Sequence, residues 1–194
     1  AGGTGSDEIW GDSGHDIIFA NSESDASEEE GVLDIIHGGL GNDLIYASEA
    51  ENEIYGDAGN DQIIGSDTFG MFAGGYGNDR FYVSAKKDDN ESQILGEDGN
   101  DQIWVGNYVD IVNGGQGDDY IFVEGYGSKT IIGEAGFDRV YYSDYYSYQG
   151  SGTEIDVYDN TRPELRVGSK EGFGDDFTAS FTWTSGEFTL TPIK

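Results

Sequence analysis

A nine-residue period runs through most of this chain and constrains its fold more than any other feature. One copy, GGLGNDLIY over residues 38–46, has glycine at its first, second and fourth positions, aspartate at its sixth and an apolar residue at its eighth. The layout recurs from Gly2 to about residue 141, with an insertion at residues 86–91. We refer to the positions of each copy as places one to nine.

The eighth place is apolar in almost every copy, and Ser27 is the one clear exception. A side chain that recurs at this place points inward from a short strand, and the glycines on either side mark tight turns. The sequence therefore predicts strands that alternate with turns around one core. The predicted core residues are Ile9, Ile18, Ile36, Ile45, Ile54, Ile63, Phe72, Phe81, Ile103, Val112, Ile121 and Val140.

Acidic residues dominate the charge of the chain. It has 39 aspartates and glutamates against 9 lysines and arginines, which gives a formal net charge of −30. Nucleic acids and anionic membranes are disfavoured as partners because both would be repelled. The same charge opposes compaction unless cations bind, and carboxylates in oxygen-rich turns favour a hard cation such as calcium.

The sequence has no pattern typical of zinc sites, disulfide frameworks or catalytic centres. It contains no cysteine, and His15 and His37 lie outside any HExxH or His/Cys pattern, so we predict that both are surface residues. No serine, histidine and acid arrangement stands out, and we expect no enzymatic activity. No apolar run is long enough to span a bilayer.

The repeat resembles the calcium-binding nonapeptide GGxGxDxUx of the repeat-in-toxin (RTX) family. The resemblance covers residues 2 to about 141 and implies an all-β, right-handed parallel β-roll, in which turns one coil apart share each calcium ion. It also implies a secreted bacterial protein exported through a type I secretion channel. The resemblance rests on eight GxxGxD matches that all fall at the same position of the repeat. They begin at Gly2, Gly11, Gly38, Gly56, Gly74, Gly96, Gly114 and Gly133.

If two nonapeptides make one coil, residues about 18 apart lie on the same edge of the roll. We therefore expect an aspartate ladder on one edge that holds about five to seven calcium ions, with Asp25 as its weakest member. The ladder residues are predicted to be Asp7, Asp25, Asp43, Asp61, Asp79, Asp101, Asp119 and Asp138. The opposite edge has lost most of its glycines and should bind calcium poorly, except near Asp16 and Asp34.

Glycines complete the predicted metal sites because they leave backbone carbonyls clear to approach an ion. Calcium takes 6–8 oxygen ligands, more than one turn can supply. The glycines assigned to the sites are Gly38, Gly39, Gly41, Gly56, Gly59, Gly74, Gly75, Gly77, Gly96, Gly99, Gly114, Gly115, Gly117, Gly133 and Gly136.

In the copies of the repeat that contain the ladder aspartates, the ninth place predicts a row of outward aromatic side chains. Such a row can stack on sugar rings or cover a partner, and it can equally stabilise the sheet through cross-strand pairs or lie under another domain. The residues of this candidate ligand face are Trp10, Tyr46, Tyr82, Trp104, Phe122 and Tyr141.

From about residue 142 the nonapeptide gives way to alternating segments such as FTASFTW (177–183), which are typical of antiparallel strands. We expect a β-roll over residues 1–141 and a β-rich cap over 142–194, because the end of a solenoid needs covering. The first residues already belong to the repeat, so we expect a fragment of a longer chain.

The predicted function is a secreted calcium-binding module that folds on extracellular calcium. It would serve as a structural, adhesive or secretion-assisting segment of a larger bacterial exoprotein. The alternatives are a carbohydrate-binding module, and an accessory domain of a secreted protease, lipase or polysaccharide-modifying enzyme.

Overall fold

The computed structural model describes residues 1–21, 32–85, 92–124 and 129–143, together with the backbone of four later strands. Asp25 and the insertion at residues 86–91 lie outside the described residues. Within the described part the chain forms strands and no helix, so no helix there could cross a membrane. The fold is all-β, as predicted.

The strands are short, and most span three to eight residues. They are β1 (Glu8–Trp10), β2 (Ile17–Phe19), β3 (Leu33–Leu40), β4 (Leu44–Tyr46), β5 (Glu51–Ala58), β6 (Gln62–Tyr76), β7 (Arg80–Ala85), β8 (Gln93–Asp98), β9 (Gln102–Val105), β10 (Ile111–Gln116), β11 (Tyr120–Glu124), β12 (Lys129–Ala135), β13 (Phe137–Ser143), β14 (Gly152–Tyr158), β15 (Arg166–Ser169), β16 (Thr178–Thr184) and β17 (Glu187–Ile193).

Two parallel sheets form the two faces of a β-roll. Sheet A contains β1, β3, β5, the second half of β6, β8, β10 and β12 in spatial order. Sheet B contains β2, β4, the first half of β6, β7, β9, β11 and β13. The chain passes alternately from one sheet to the other, which confirms the parallel β-roll.

The pairing register gives the length of each coil. Leu44 pairs with Gln62, an offset of 62 − 44 = 18 residues, which confirms two nonapeptides per coil. Phe81 pairs with Ile103 at 103 − 81 = 22, so the coil with the insertion is four residues longer.

The first coil corrects the predicted edge assignment. Ile17 pairs with Leu44, an offset of 44 − 17 = 27, because the segment between β2 and β3 carries one extra period of nine residues. Asp16 therefore lies beside Asp43 in the ladder, whereas Asp7 lies on the opposite edge beside Asp34. The predicted placement of Asp7 in the ladder, and of Asp16 opposite it, was wrong.

The side chains of the eighth place form the core between the sheets. From Ile18 to Val140 they are at most 5% exposed, and Ile36, Ile45 and Phe72 are completely buried. Burial of each such side chain stabilises the fold by about 1.5–3 kcal/mol. Ile9, in the end coil, is only partly buried, and the core also includes Ile94 and Ile131, which were not predicted.

Antiparallel strands follow the last coil of the roll. In sheet B, β14 pairs antiparallel with β13, and β15 pairs with β14. In sheet A, β17 pairs antiparallel with β12, and β16 pairs with β17. The switch from parallel to antiparallel pairing falls where the nonapeptide pattern ends.

Candidate metal centre

The turns that lead from sheet A to sheet B carry a continuous aspartate ladder. The main-chain N–H of each ladder aspartate except the last donates to the Oδ1 atom of the aspartate one coil further on, at 2.7–3.0 Å. We call this side of the roll the ladder edge. Its members are Asp16, Asp43, Asp61, Asp79, Asp101, Asp119 and Asp138.

The second carboxylate oxygen of every ladder aspartate is buried and has no hydrogen-bond partner. From Asp43 to Asp138 the ladder residues are only 1–3% exposed. A buried polar atom without a partner is costly, and one that recurs on every coil needs an explanation such as a bound ion. The Oδ2 atoms are therefore positioned as metal ligands.

Backbone carbonyls converge on the same points. A Cβ atom placed on Gly56 would lie 2.6 Å from Asp61 Oδ2 and 2.6 Å from the carbonyl oxygen of Gly74, one coil further on. The corresponding distances at Gly38 are 2.7 Å to Asp43 Oδ2 and 2.7 Å to the Gly56 oxygen. Both kinds of oxygen accept hydrogen bonds and neither donates, so their approach fits a cation with oxygen ligands such as calcium.

Glycine at the fourth place permits the tight turn. Gly59 has φ +150°, and a Cβ atom there would collide with the carbonyl oxygen of Gly41 in the preceding coil. At the second place an acidic residue can replace glycine, because the left-handed φ of Asp57 is only +68°. The spacing of glycines in the repeat thus follows from the path of the turn.

Burial raises the pKa of five ladder carboxyls above the ordinary value of 3.8. The pKa of Asp61, Asp101 and Asp138 rises to about 7, and that of Asp79 and Asp119 to about 6. Desolvation is the largest cause, and the N–H donated by the preceding aspartate only partly offsets it. Without a cation the ionised ladder is unfavourable, so a bound cation would relieve its charge.

A family model described as RTX calcium-binding nonapeptide repeat (4 copies) matches residues 1–26, 34–69 and 95–125. These stretches of the roll are RTX calcium-binding repeats. This confirms the predicted family and, with it, a calcium-binding β-roll. The chain has no match among the curated proteins and none among the solved structures.

The RTX ladder differs from a metal site built only of side chains. Among the described residues no group of three or more histidines, aspartates and glutamates could hold a metal ion. At five of the seven ladder aspartates one Oδ2 atom and one backbone carbonyl approach the same place-one glycine, so main-chain oxygens would be among the ligands.

The opposite edge of the RTX roll uses protein hydrogen bonds where the ladder edge has unpartnered oxygens. Asp34 is fully buried, and its Oδ1 accepts from the Asp7 N–H at 3.0 Å while its Oδ2 accepts from Ser48 Oγ at 3.0 Å. In the next coil the amide of Asn52 donates to Thr68 Oγ1 at 2.8 Å. Asp34 therefore fits a calcium ligand poorly, whereas Asp7 Oδ2 is buried without a partner.

A second ladder, at the fifth place, was not predicted. The N–H of Asn60 donates to Asn42 Oδ1 at 2.9 Å, and the pattern continues through Asn78 and Asn100 to Asp118. It runs opposite to the aspartate ladder, since each side chain here accepts from the following coil. The recurring asparagine before the aspartate was the signal in the sequence.

The aromatic row on sheet B begins at Phe19, which pairs in register with Tyr46. Its later members Tyr82, Trp104 and Phe122 lie on adjacent strands, and Tyr141 continues the register. Trp10 was wrongly assigned to this row because the first coil was predicted to pair one nonapeptide out of register. It lies on sheet A.

Two pairs of rings in this row stack along the roll axis. Phe19 stacks on Tyr46 at 4.8 Å between centroids, and Tyr82 stacks on Trp104 at 4.5 Å. One face of each ring is therefore covered by its neighbour, as expected of aromatic pairs that stabilise a sheet.

The two histidines have different surroundings. His15 is exposed, as predicted, and its Nδ1 accepts from the Asn42 N–H at 2.7 Å. His37 is instead half-buried between the rings of Trp10 and Tyr55, with its Nδ1 3.2 Å from Asp57 Oδ2.

Proposed function

We propose that this calcium-binding β-roll is an extracellular module whose folding is driven by calcium. The observation that carries the proposal is the row of buried, unpartnered Oδ2 atoms. Five of them, from Asp16 to Asp101, approach the same place-one glycine as a backbone carbonyl of the next coil. Calcium bound there would neutralise the ladder and join adjacent coils. Binding free energy then becomes folding free energy.

One ion in each gap between successive ladder aspartates would give six ions from Asp16 to Asp138. On the opposite edge, Asp7 Oδ2 is also buried without a partner and would be available for a further ion. The glycines at places one, two and four would supply carbonyl ligands or room for them.

The compartment follows from the affinity expected of such sites. Extracellular calcium modules bind at about 10⁻⁴ to 10⁻³ M, so the chain would stay loose in a low-calcium cytoplasm and fold outside. Export through a type I channel of a bacterial cell agrees with this behaviour, since folding outside would prevent return. The module itself needs no catalytic group, and it would support a larger exoprotein as a structural or adhesive segment.

We assign residues 142–194 to a cap on the last coil. The pairing of β17 with β12 and of β14 with β13 supports this assignment, because both partners belong to the last coil. An antiparallel strand on each sheet would end the parallel stacking and block the addition of another roll.

A second candidate function is polysaccharide binding at the outward face of sheet B. The observation that favours it is the charge of this face, where the described side chains at places seven and nine include arginines and no carboxylate.

Calcium titration of the metal-stripped protein, followed by far-UV circular dichroism, tests the folding proposal. We expect a cooperative coil-to-β transition near millimolar calcium. The Asp79→Ala/Asp101→Ala variant should need more calcium, because it removes two adjacent ladder ligands. The Glu8→Ala/Glu53→Ala variant is the matched control, since it removes the same charge from the outer side of sheet A.

Two results would contradict the proposal. One is a wild-type chain that is already fully folded without calcium at neutral pH. The other is a control variant whose calcium midpoint shifts as far as that of the ladder variant, which would assign the effect to total charge.

A further inference from the structure

The outward face of sheet B differs in charge from the rest of the chain. We call the part of this face formed by places seven and nine of successive coils the B face. The described members are Ile17, Phe19, Leu44, Tyr46, Gln62, Ile64, Arg80, Tyr82, Gln102, Trp104, Tyr120, Phe122 and Arg139.

No carboxylate occurs among these side chains, although the chain has 39 aspartates and glutamates. Arg80 and Arg139, both exposed, are the arginines whose side chains the structure describes, and both lie on this face. The outer side of sheet A, by contrast, carries Glu8 and Glu53. The B face is therefore complementary to a ligand of negative charge.

Hydrogen-bonding groups form a line within the B face. Arg80 pairs in register with Gln62 on one side and Gln102 on the other. Since neighbouring strands lie about 4.8 Å apart, these three side chains span about 10 Å along the roll axis. Arginine binds carboxylate or sulfate groups through two parallel N–H donors, and the glutamine amides can donate to hydroxyl groups.

The rings of Tyr82 and Trp104 lie beside this line and stack on each other, so they offer a sugar little open aromatic surface. Tyr82 follows Arg80 by two residues and Trp104 follows Gln102 by two, so both rings lie on the same face. Each covers one face of the other. A sugar that needs a fully open aromatic ring is thus a poorer fit than one held by charge and hydrogen bonds.

The width of the B face limits the shape of the ligand. Exposed Asp118 lies two residues before Tyr120, at the border with the ladder edge, so a broad polyanion would meet carboxylates as well as arginines. A thin linear chain laid along the roll axis would contact the line from Gln62 to Gln102 and avoid that border.

We propose that the B face binds an acidic polysaccharide, with Arg80 pairing with its carboxylate or sulfate groups and Gln62 and Gln102 with its hydroxyls. This inference rests on the polysaccharide-binding function proposed above and names its ligand class and contacts.

The test uses the full chain in saturating calcium and isothermal titration with three probes. They are a hexamer of galacturonic acid, the same hexamer with its carboxylates methyl-esterified, and single-stranded polyuridylate. We expect the acidic hexamer to bind and the esterified hexamer to bind at least tenfold more weakly. Arg80→Gln should weaken binding of the acidic hexamer roughly tenfold, because it removes one charge-assisted contact.

The matched control variant is Gln93→Ala, which changes the same place of the repeat on the outer side of sheet A and should leave binding unchanged. Equal binding of the acidic and esterified hexamers, or unchanged binding by Arg80→Gln, would overturn the proposal. So would an absence of hexamer binding, or binding of polyuridylate as tight as that of the acidic hexamer. Circular dichroism of the same samples separates these results from a failure of calcium-driven folding.

Discussion

Replacement of Asp101 by asparagine should change stability in opposite directions with and without calcium. Asparagine has nearly the same shape and keeps an Oδ1 atom to accept the Asp79 N–H, which lies 2.8 Å away in the native protein. It removes the negative charge and replaces the unpartnered Oδ2 atom with a donor. Because that atom and the Gly114 carbonyl oxygen both approach Gly96, a backbone acceptor lies on the same side of the turn as the new amide group.

The size of the calcium-free effect follows from the pKa of Asp101. Burial, opposed by the Asp79 N–H and reinforced by the charges of Asp119 and Asp79, raises this pKa from 3.8 to about 7. One pKa unit corresponds to 1.36 kcal/mol, so ionisation of Asp101 at pH 7.5 destabilises the calcium-free roll by about 4 kcal/mol relative to the unfolded chain. Since whole domains are stable by only about 5–15 kcal/mol, Asp101→Asn should visibly favour the calcium-free fold.

With calcium bound, the same change removes a charged ligand from a buried site. We expect a loss of about 3–5 kcal/mol in the free energy of unfolding, as when one partner of a buried ion pair is removed. Urea denaturation at saturating calcium measures this loss. Folding induced by trimethylamine N-oxide in metal-stripped protein measures the calcium-free stability, and Asp101→Asn should need less of the osmolyte than the wild type.

Asp118→Asn is the matched control. It removes one charge from the same edge, but Asp118 is exposed, and asparagine can accept the Phe137 N–H as Asn100 accepts that of Asp118. A destabilisation of both states by Asp101→Asn would refute the reasoning, as would shifts equal to those of the control.

Three further results are expected. Without calcium, lowering the pH from 7.5 to 5 should increase the β signal in circular dichroism. The raised pKa of Asp79 and Asp101 in the folded state gives stability at low pH that is lost as the pH rises through about 6–7. An unchanged spectrum would contradict this. Gly77→Ala should raise the calcium midpoint more than Gly3→Ala. Both glycines have positive φ, but only at Gly77 would the new Cβ atom meet a backbone carbonyl. Equal shifts would show that φ alone matters. Asn52→Ala should lower the free energy of unfolding by about 1–3 kcal/mol, measured by urea denaturation at saturating calcium. It should leave the number of bound ions unchanged, because the Asn52 amide bonds to Thr68 and the main chain instead of metal. Loss of an ion in the calorimetric stoichiometry would count against this prediction.

The period of the sequence predicted the coil, the core and most of the ladder. A nonapeptide with one inward side chain leaves little freedom, so the burial of Ile45, Ile63 and Ile103 followed directly. The asparagine ladder was missed because its signal, an asparagine before four of the ladder aspartates, is also what an ordinary polar turn would show. The half-buried position of His37 could not be read from its place in the repeat, since it depends on aromatic neighbours from two other strands.

The error at the first coil has a more general cause. An insertion of one full period keeps every later residue in phase, so the nonapeptide pattern continues unchanged, yet the two edges of the roll exchange roles before and after it. Asp16 thereby joins Asp43 and Phe19 joins Tyr46, while Asp7 faces Asp34. The sequence did contain a sign of this, because residues 20–28 lack the glycines of the turn and have Ser27 where the core needs an apolar side chain. The copies on either side of this segment are therefore neighbours in the roll.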